Sequence, residues 1–216
     1  MTRNFARYAA LLASLGLLTS AVTMPSPAAR AQEGAPAAGA AKQKEDKEKE
    51  KTVPVATKAG LSFEIPQSWK SSPPTSAMRQ AEVTLPKVEG DPEDAELVVF
   101  HFGASDGGTV QANLDRWCGQ FEGPGGTPAK DSAKITKREV SGLPVTVLDV
   151  SGTYVAPVRI GAPERFHKPS FRMIAAVVQT KGGSFFLKLV GPEKTLAANA
   201  KKFDAVIESV KFGAGG

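Results

Sequence analysis

Apolar residues recur along the chain with two different periods, and the switches between them divide it into elements. Leu61, Phe63 and Ile65 alternate with Ser62 and Glu64, the period of two of a half-buried strand over residues 61–65. A weaker alternation of Ala81, Val83 and Leu85 against Glu82 and Thr84 predicts a second strand over 78–85. The turn-forming run KVEGDPED, 87–94, separates it from ELVVFHF, 96–102, which is apolar on both faces and so is expected to lie centrally. The period then lengthens. Val110, Leu114, Trp117, Cys118 and Phe121 recur at helical spacing over 109–121, with Thr109 as N-cap and Gln111, Asn113, Asp115, Arg116 and Gln120 facing away. GPGGTP, 123–128, ends that helix.

Strand patterns resume over 133–140 and 143–154, joined across Ser141-Gly142, and again over 172–180 and 184–190, joined across Lys181-Gly182-Gly183. GPEKT, 191–195, opens a second helix: Pro192 suits the first helical position and Glu193 the positive N-terminus. Leu196, Ala200, Phe203, Ile207 and Val210 form its apolar stripe. The order is three strands, a helix, four strands, a helix. Short turns between neighbours make the sheet largely antiparallel, and each helix has one apolar face to bury on it. The expected class is α+β: an antiparallel sheet of about seven strands with two packed helices, an α/β/α sandwich.

The N-terminus changes the picture of where the domain works. Arg3 and Arg7 precede a mostly apolar run, 8–22, and Ala29-Arg30-Ala31 supplies a small-residue cleavage pattern. This order predicts a secretory signal peptide over 1–31, leaving no transmembrane anchor after cleavage and a periplasmic or secreted protein. No cysteine lies near the cleavage site for lipid attachment. Residues 32–51, small and flexible and then an alternating Lys/Glu run, cannot bury enough surface to order themselves and are expected to be a disordered linker. A single domain follows over 52–213.

Removing Arg3, Arg7 and Arg30 lowers the formal charge from +5 to +2, with 24 basic against 22 acidic residues. A domain so near neutral has no broad field for a phosphate backbone, so nucleic acid is not an expected partner. Cys118 is the one cysteine, so the fold relies on its core rather than on an internal disulfide.

A short strand closed by Pro66 and followed by Trp69, a mid-chain amphipathic helix, two hairpins and a long last helix together resemble the PsbP-like fold over residues 61–212. That fold is shared by the extrinsic photosystem II protein and a Ran-binding nuclear import factor. The resemblance implies a binding or assembly protein without catalytic residues.

The chain's own chemistry points the same way. There are two histidines, His101 and His167, no G-x-S-x-G elbow, and no spaced ligand set for zinc. Asp91, Glu93 and Asp94 cluster in a turn without the calcium-loop pattern. SDGGT, 105–109, lacks a Walker lysine and reads as a strand-to-helix turn. Cys118 lies on the apolar stripe, the position of an inert thiol. Neither a metal site nor a cofactor is expected.

The long segment 155–170 is the exception. It carries Arg159, Arg165, His167 and Lys168 with Phe166 among them, a set that can hold a carboxylate or phosphate or dock a partner protein. The expected function is therefore a non-catalytic binding or assembly module, monomeric, with an unknown protein partner and this loop as its contact surface. The alternative is a small-ligand carrier or an enzyme with a pocket between sheet and helix near Trp69 and Arg172. Trp69 itself is expected to pack over the sheet end.

Overall fold

The structure is a computed structural model that describes residues 50–104, 107–159 and 161–213; the signal-peptide reading and nearly all of the 32–51 linker lie outside the described residues. Eleven strands and two α-helices follow in chain order: β1 (Thr52–Ala56), β2 (Leu61–Pro66), β3 (Lys70–Ser72), β4 (Arg79–Leu85), β5 (Ala95–His101), α1 (Val110–Cys118), β6 (Phe121–Glu122), β7 (Lys134–Val140), β8 (Leu143–Tyr154), β9 (Lys168–Thr180), β10 (Gly183–Pro192), α2 (Glu193–Glu208) and β11 (Lys211–Phe212).

The main sheet has the order β3-β4-β5-β10-β9-β8-β6, with β7 also paired to β8, and every pairing is antiparallel. This is the expected α+β class, with one correction. β2, expected beside the other strands, stands in a separate three-stranded sheet between β1 and β11. The main sheet instead gains β3 and β6, each too short to show an alternation.

The hairpins follow from their turns. Val140 pairs with Leu143, leaving Ser141 and Gly142 as a two-residue loop with φ of 51° and 76°, the left-handed pair that such a turn needs. Ser141 tolerates it because its Oγ donates to the Val210 carbonyl at 2.8 Å. The β9–β10 loop is likewise two residues, since Thr180 pairs with Gly183.

The main sheet is buried on both faces. On one, Leu97, Val99, Ile174, Ala176, Leu187 and Leu189 pack with Leu61, Phe63 and Ile65 of β2 and with Leu196, Phe203 and Ile207 of α2. On the other, Leu148, Val150, Met173, Val177 and Phe186 pack with Leu114, Trp117 and Cys118 of α1. α2 spans sixteen residues and α1 only nine, so α1 roofs a smaller part of its face.

Three local readings need correcting. α1 ends at Cys118, capped by Gly119, so Phe121 is not helical; it pairs with Tyr154 in β6 and is still buried beside α1. Asn113 is buried rather than solvent-facing. Its Nδ2 donates to the carbonyls of Gly107 and Thr109, holding the turn that leads into the helix, while Thr109 caps as expected, accepting from the Ala112 amide at 3.1 Å. Pro192 ends β10 and precedes α2 instead of opening it.

The end of the Lys/Glu run is also not free. The Lys51 carbonyl accepts from the Gln67 amide, the Ser68 amide donates to Glu50 Oε1, and Glu50 Oε2 lies 2.6 Å from Lys202 of α2.

Candidate functional site

The segment after β8 is shorter than expected. β9 begins at Lys168, so Lys168, Pro169 and Ser170 are strand residues and the connection covers 155–167. Its two arms pair. The Val158 amide donates to the Glu164 carbonyl at 3.0 Å, the Phe166 amide to the Ala156 carbonyl at 2.9 Å, and Pro157 faces Arg165 in a single bridge.

The five loop residues separate into a base and a tip. Phe166 stacks on Tyr154 with ring centroids 5.7 Å apart, and Tyr154 stacks on Phe171 at 6.2 Å. The Lys168 ammonium lies 4.8 Å from the centre of the Phe166 ring and 2.6 Å from Glu93 Oε1. Phe166 and Lys168 are thus spoken for within the fold. Arg159, Arg165 and His167 are exposed, and among the described residues none has an acidic partner within 4.0 Å. Val158 beside them is 47% exposed.

Behind this loop, on the α1 side of the sheet, lies a half-buried aromatic and cationic surface that sequence reading passed over. Arg79 sits 5.8 Å over the Phe100 ring and pairs with Glu82 and Glu96. Lys188, in the middle of central strand β10, reaches 5.8 Å from the Tyr154 ring centre, and its ammonium donates to Gln120 Oε1 at 2.7 Å. Burial and the nearby Arg116 pull its pKa down to about 8. The signal for it was a single lysine inside FFLKLV, an otherwise apolar run.

Of the two residues named for a pocket between sheet and helix, Arg172 lines a cleft beside α2 and Trp69 does not. The cleft, of about 370 Å³, lies between β7–β9 and α2, with Val147, Ile174, Phe203 and Ile207 on its apolar walls and Lys134 and Lys201 at its polar positions. Arg172 is part of it, held bidentate by Asp149 at 2.8 and 2.6 Å, which strengthens its hold on its proton. Asp204 in the cleft wall is paired with Arg138 at 2.7 Å, off the hydrogen-bond direction.

Trp69 does not line this cleft. It is 4% exposed, packed in the α2-side core, and its Nε1 donates to Asn199 Oδ1 at 3.2 Å.

The remaining polar features are taken up by the architecture. Asp91 Oδ2 accepts from both the amide and the hydroxyl of Thr195, capping α2, and Asp94 accepts from the Lys87 amide. His101 stacks on Phe185 at 4.3 Å with Nδ1 3.2 Å from the Ser184 carbonyl. Cys118 is buried, and desolvation pushes its thiol pKa up.

The class so defined is an α+β domain with an exposed arginine-bearing loop beside an aromatic and cationic surface. No family model and no curated protein matches the chain. It is similar to the solved structure of cyanobacterial PsbP (CyanoP) from Synechocystis sp. PCC 6803, at 15% identity over 75% of this chain and 92% of that one, TM-score 0.48. It is also similar to LpqN of Mycobacterium tuberculosis, described as involved in cell envelope biogenesis, at 13% identity over 74% and 90%, TM-score 0.43. A third is PA94 of Pseudomonas aeruginosa, a protein of unknown function, at 12% identity over 73% and 94%, TM-score 0.40. A PsbP is thus among the structures this chain is similar to, as its element order led us to expect. The α+β class is read from the chain's own sheets and helices.

Proposed function

We propose that this chain is an exported, non-catalytic binding or assembly domain that docks a protein partner along the 155–167 loop and the aromatic surface behind it. The observation that supports this most is the division of labour within the loop. Phe166 and Lys168 lock its base to Tyr154 and Glu93, while Arg159, Arg165 and His167 are held outward, with Val158 exposed beside them. A clamped base limits the entropy lost when the tip is bound. Cations flanking an apolar residue suit an acidic partner surface. The export part of the proposal rests on residues 1–31. Among the described residues no helix is long and apolar enough to cross a membrane.

Native mass spectrometry of the mature chain, purified gently from its own host, tests the docking reading. A co-purified protein present with the parent chain and lost with Arg159→Glu/Arg165→Glu is the expected result. A partner retained undiminished by the double variant would end the loop's role.

A carrier reading has its own support in the 370 Å³ cleft under α2, which lies within the size range of small-ligand sites. A bound small-molecule mass that disappears with Ala200→Trp, a larger side chain at a partly exposed cleft position, would favour it.

A further inference from the structure

The surface behind the loop has a charge that its neighbours leave uncompensated. Arg79 has Glu82 and Glu96, and Lys168 has Glu93, all within 4.0 Å. Lys188 has no carboxylate within that distance among the described residues; its one hydrogen-bond acceptor there is the neutral Gln120. The cation beside it makes matters worse. Arg116 on α1 lowers the Lys188 pKa further, and its guanidinium bonds to the neutral Asn113 side chain. Lys188 is half-buried on a central strand, with the centre of the Tyr154 ring 5.8 Å from its ammonium. The groups acting on Lys188 are Arg116 from α1, Glu96 from β5 and Arg79 from β4. Glu96 attracts it but is already engaged with Arg79. A half-buried ammonium without a counter-ion is costly and would be replaced by an apolar side chain if packing were its only role.

We infer that the surface around Lys188, Gln120 and Tyr154 is a carboxylate-binding site, filled by an acidic side chain of a peptide segment in the partner that docks on this face. This deepens the docking reading above and rests on it. The carboxylate would supply Lys188 with a counter-ion, and the stacked Tyr154, Phe166 and Phe171 rings would take apolar side chains flanking the acid. Lys188 thereby becomes the specificity-determining residue of the surface. The arginine tip supplies attraction; Lys188 requires an acid at one position.

The test is an NMR titration of the mature chain carrying ¹³C-labelled lysine, with acetyl-Phe-Glu-Phe-amide as the probe and the Lys188 ε-carbon as the readout. The expected result is an apparent Lys188 pKa below that of the surface lysines, rising by about one unit at saturating peptide because the bound carboxylate favours the charged amine. Lys188→Met should weaken the peptide about tenfold or more, and Arg116→Gln by a smaller factor. Lys201→Met in the α2 cleft should bind as the parent does. A Lys188 signal that peptide leaves unmoved, or a Lys188→Met variant with parental affinity, overturns the inference. Acetate binding as tightly as the peptide overturns the peptide part and points to a free small carboxylate. The docking reading itself fails on the Arg159/Arg165 variant and this inference on Lys188→Met, so the two failures are distinguishable.

Discussion

Replacing Lys188 by methionine should stabilise this protein, and the gain should depend on pH in a defined direction. The amine's pKa falls from the ordinary 10.5 to about 8, first through burial and then through Arg116. That drop corresponds to about 3 kcal/mol against carrying the charge in the folded state. Methionine keeps the apolar stem over the sheet and removes the charge. It also strips Gln120 of its partner, which this half-buried side chain can recover from water. A net gain of roughly 1–3 kcal/mol at neutral pH follows. The sign with pH is set by linkage. The folded pKa lies below the unfolded one, so between about 8 and 10.5 the unfolded chain binds more protons. The cost of Lys188 is then complete below about 8 and fades as pH rises toward 10.5. Tyr154 acts in the opposite sense. Burial and Glu96 raise its pKa, so its contribution is lost as pH climbs through the folded value; comparing parent and variant cancels it. Urea denaturation of both chains at about pH 7 and about pH 9.5 measures the difference. Equal stabilities at neutral pH, or an advantage for methionine that grows with pH, would refute the reasoning.

Other consequences are local. Trp69→Ala should cost about 3–5 kcal/mol in equilibrium denaturation, because the ring is fully packed and bonded to Asn199; a near-neutral change would mean the indole serves a surface instead. Asp91→Ala removes the two hydrogen bonds that Asp91 makes to Thr195 at the start of α2, and should cost about 1–2 kcal/mol with faster amide exchange in that first turn. Gly152→Ala should lower the melting temperature, since φ is 152° and the added carbon would fall 2.2 Å from the Glu122 carbonyl oxygen; a cost of roughly 1–3 kcal/mol is expected, and an unchanged melting temperature would show that β6 is free to move away from β8.

Much of the candidate surface was invisible in the sequence for a reason that Lys168 and Arg172 illustrate. The residue types at 155–170 marked the segment, and Arg159, Arg165 and His167 are indeed exposed there. Lys168 belongs with them by sequence. In space it answers to Glu93, some seventy-five positions away. Arg172 was placed beside Trp69 by the same logic, whereas it is bound to Asp149 across the β8–β9 ladder and Trp69 is bound to α2. Counting charges along a chain cannot say which of them will be paired, because pairing depends on which strands become neighbours.

What the sequence by itself determined is everything that local chemistry controls. Alternation marked Leu61, Phe63 and Ile65 of β2 and Ala81, Val83 and Leu85 of β4 as buried, and β8 runs over the residues its pattern marked. Ser141-Gly142 set its turn by backbone preference, and Thr109 set the start of α1 by supplying an acceptor for the Ala112 amide. Only the tertiary structure decided that β2 would leave the main sheet for β1 and β11, that Phe121 would leave its helix for Tyr154, and that Lys188 would bond to Gln120. Each of these depends on contacts between residues far apart in the chain, which no period of two or 3.6 residues encodes.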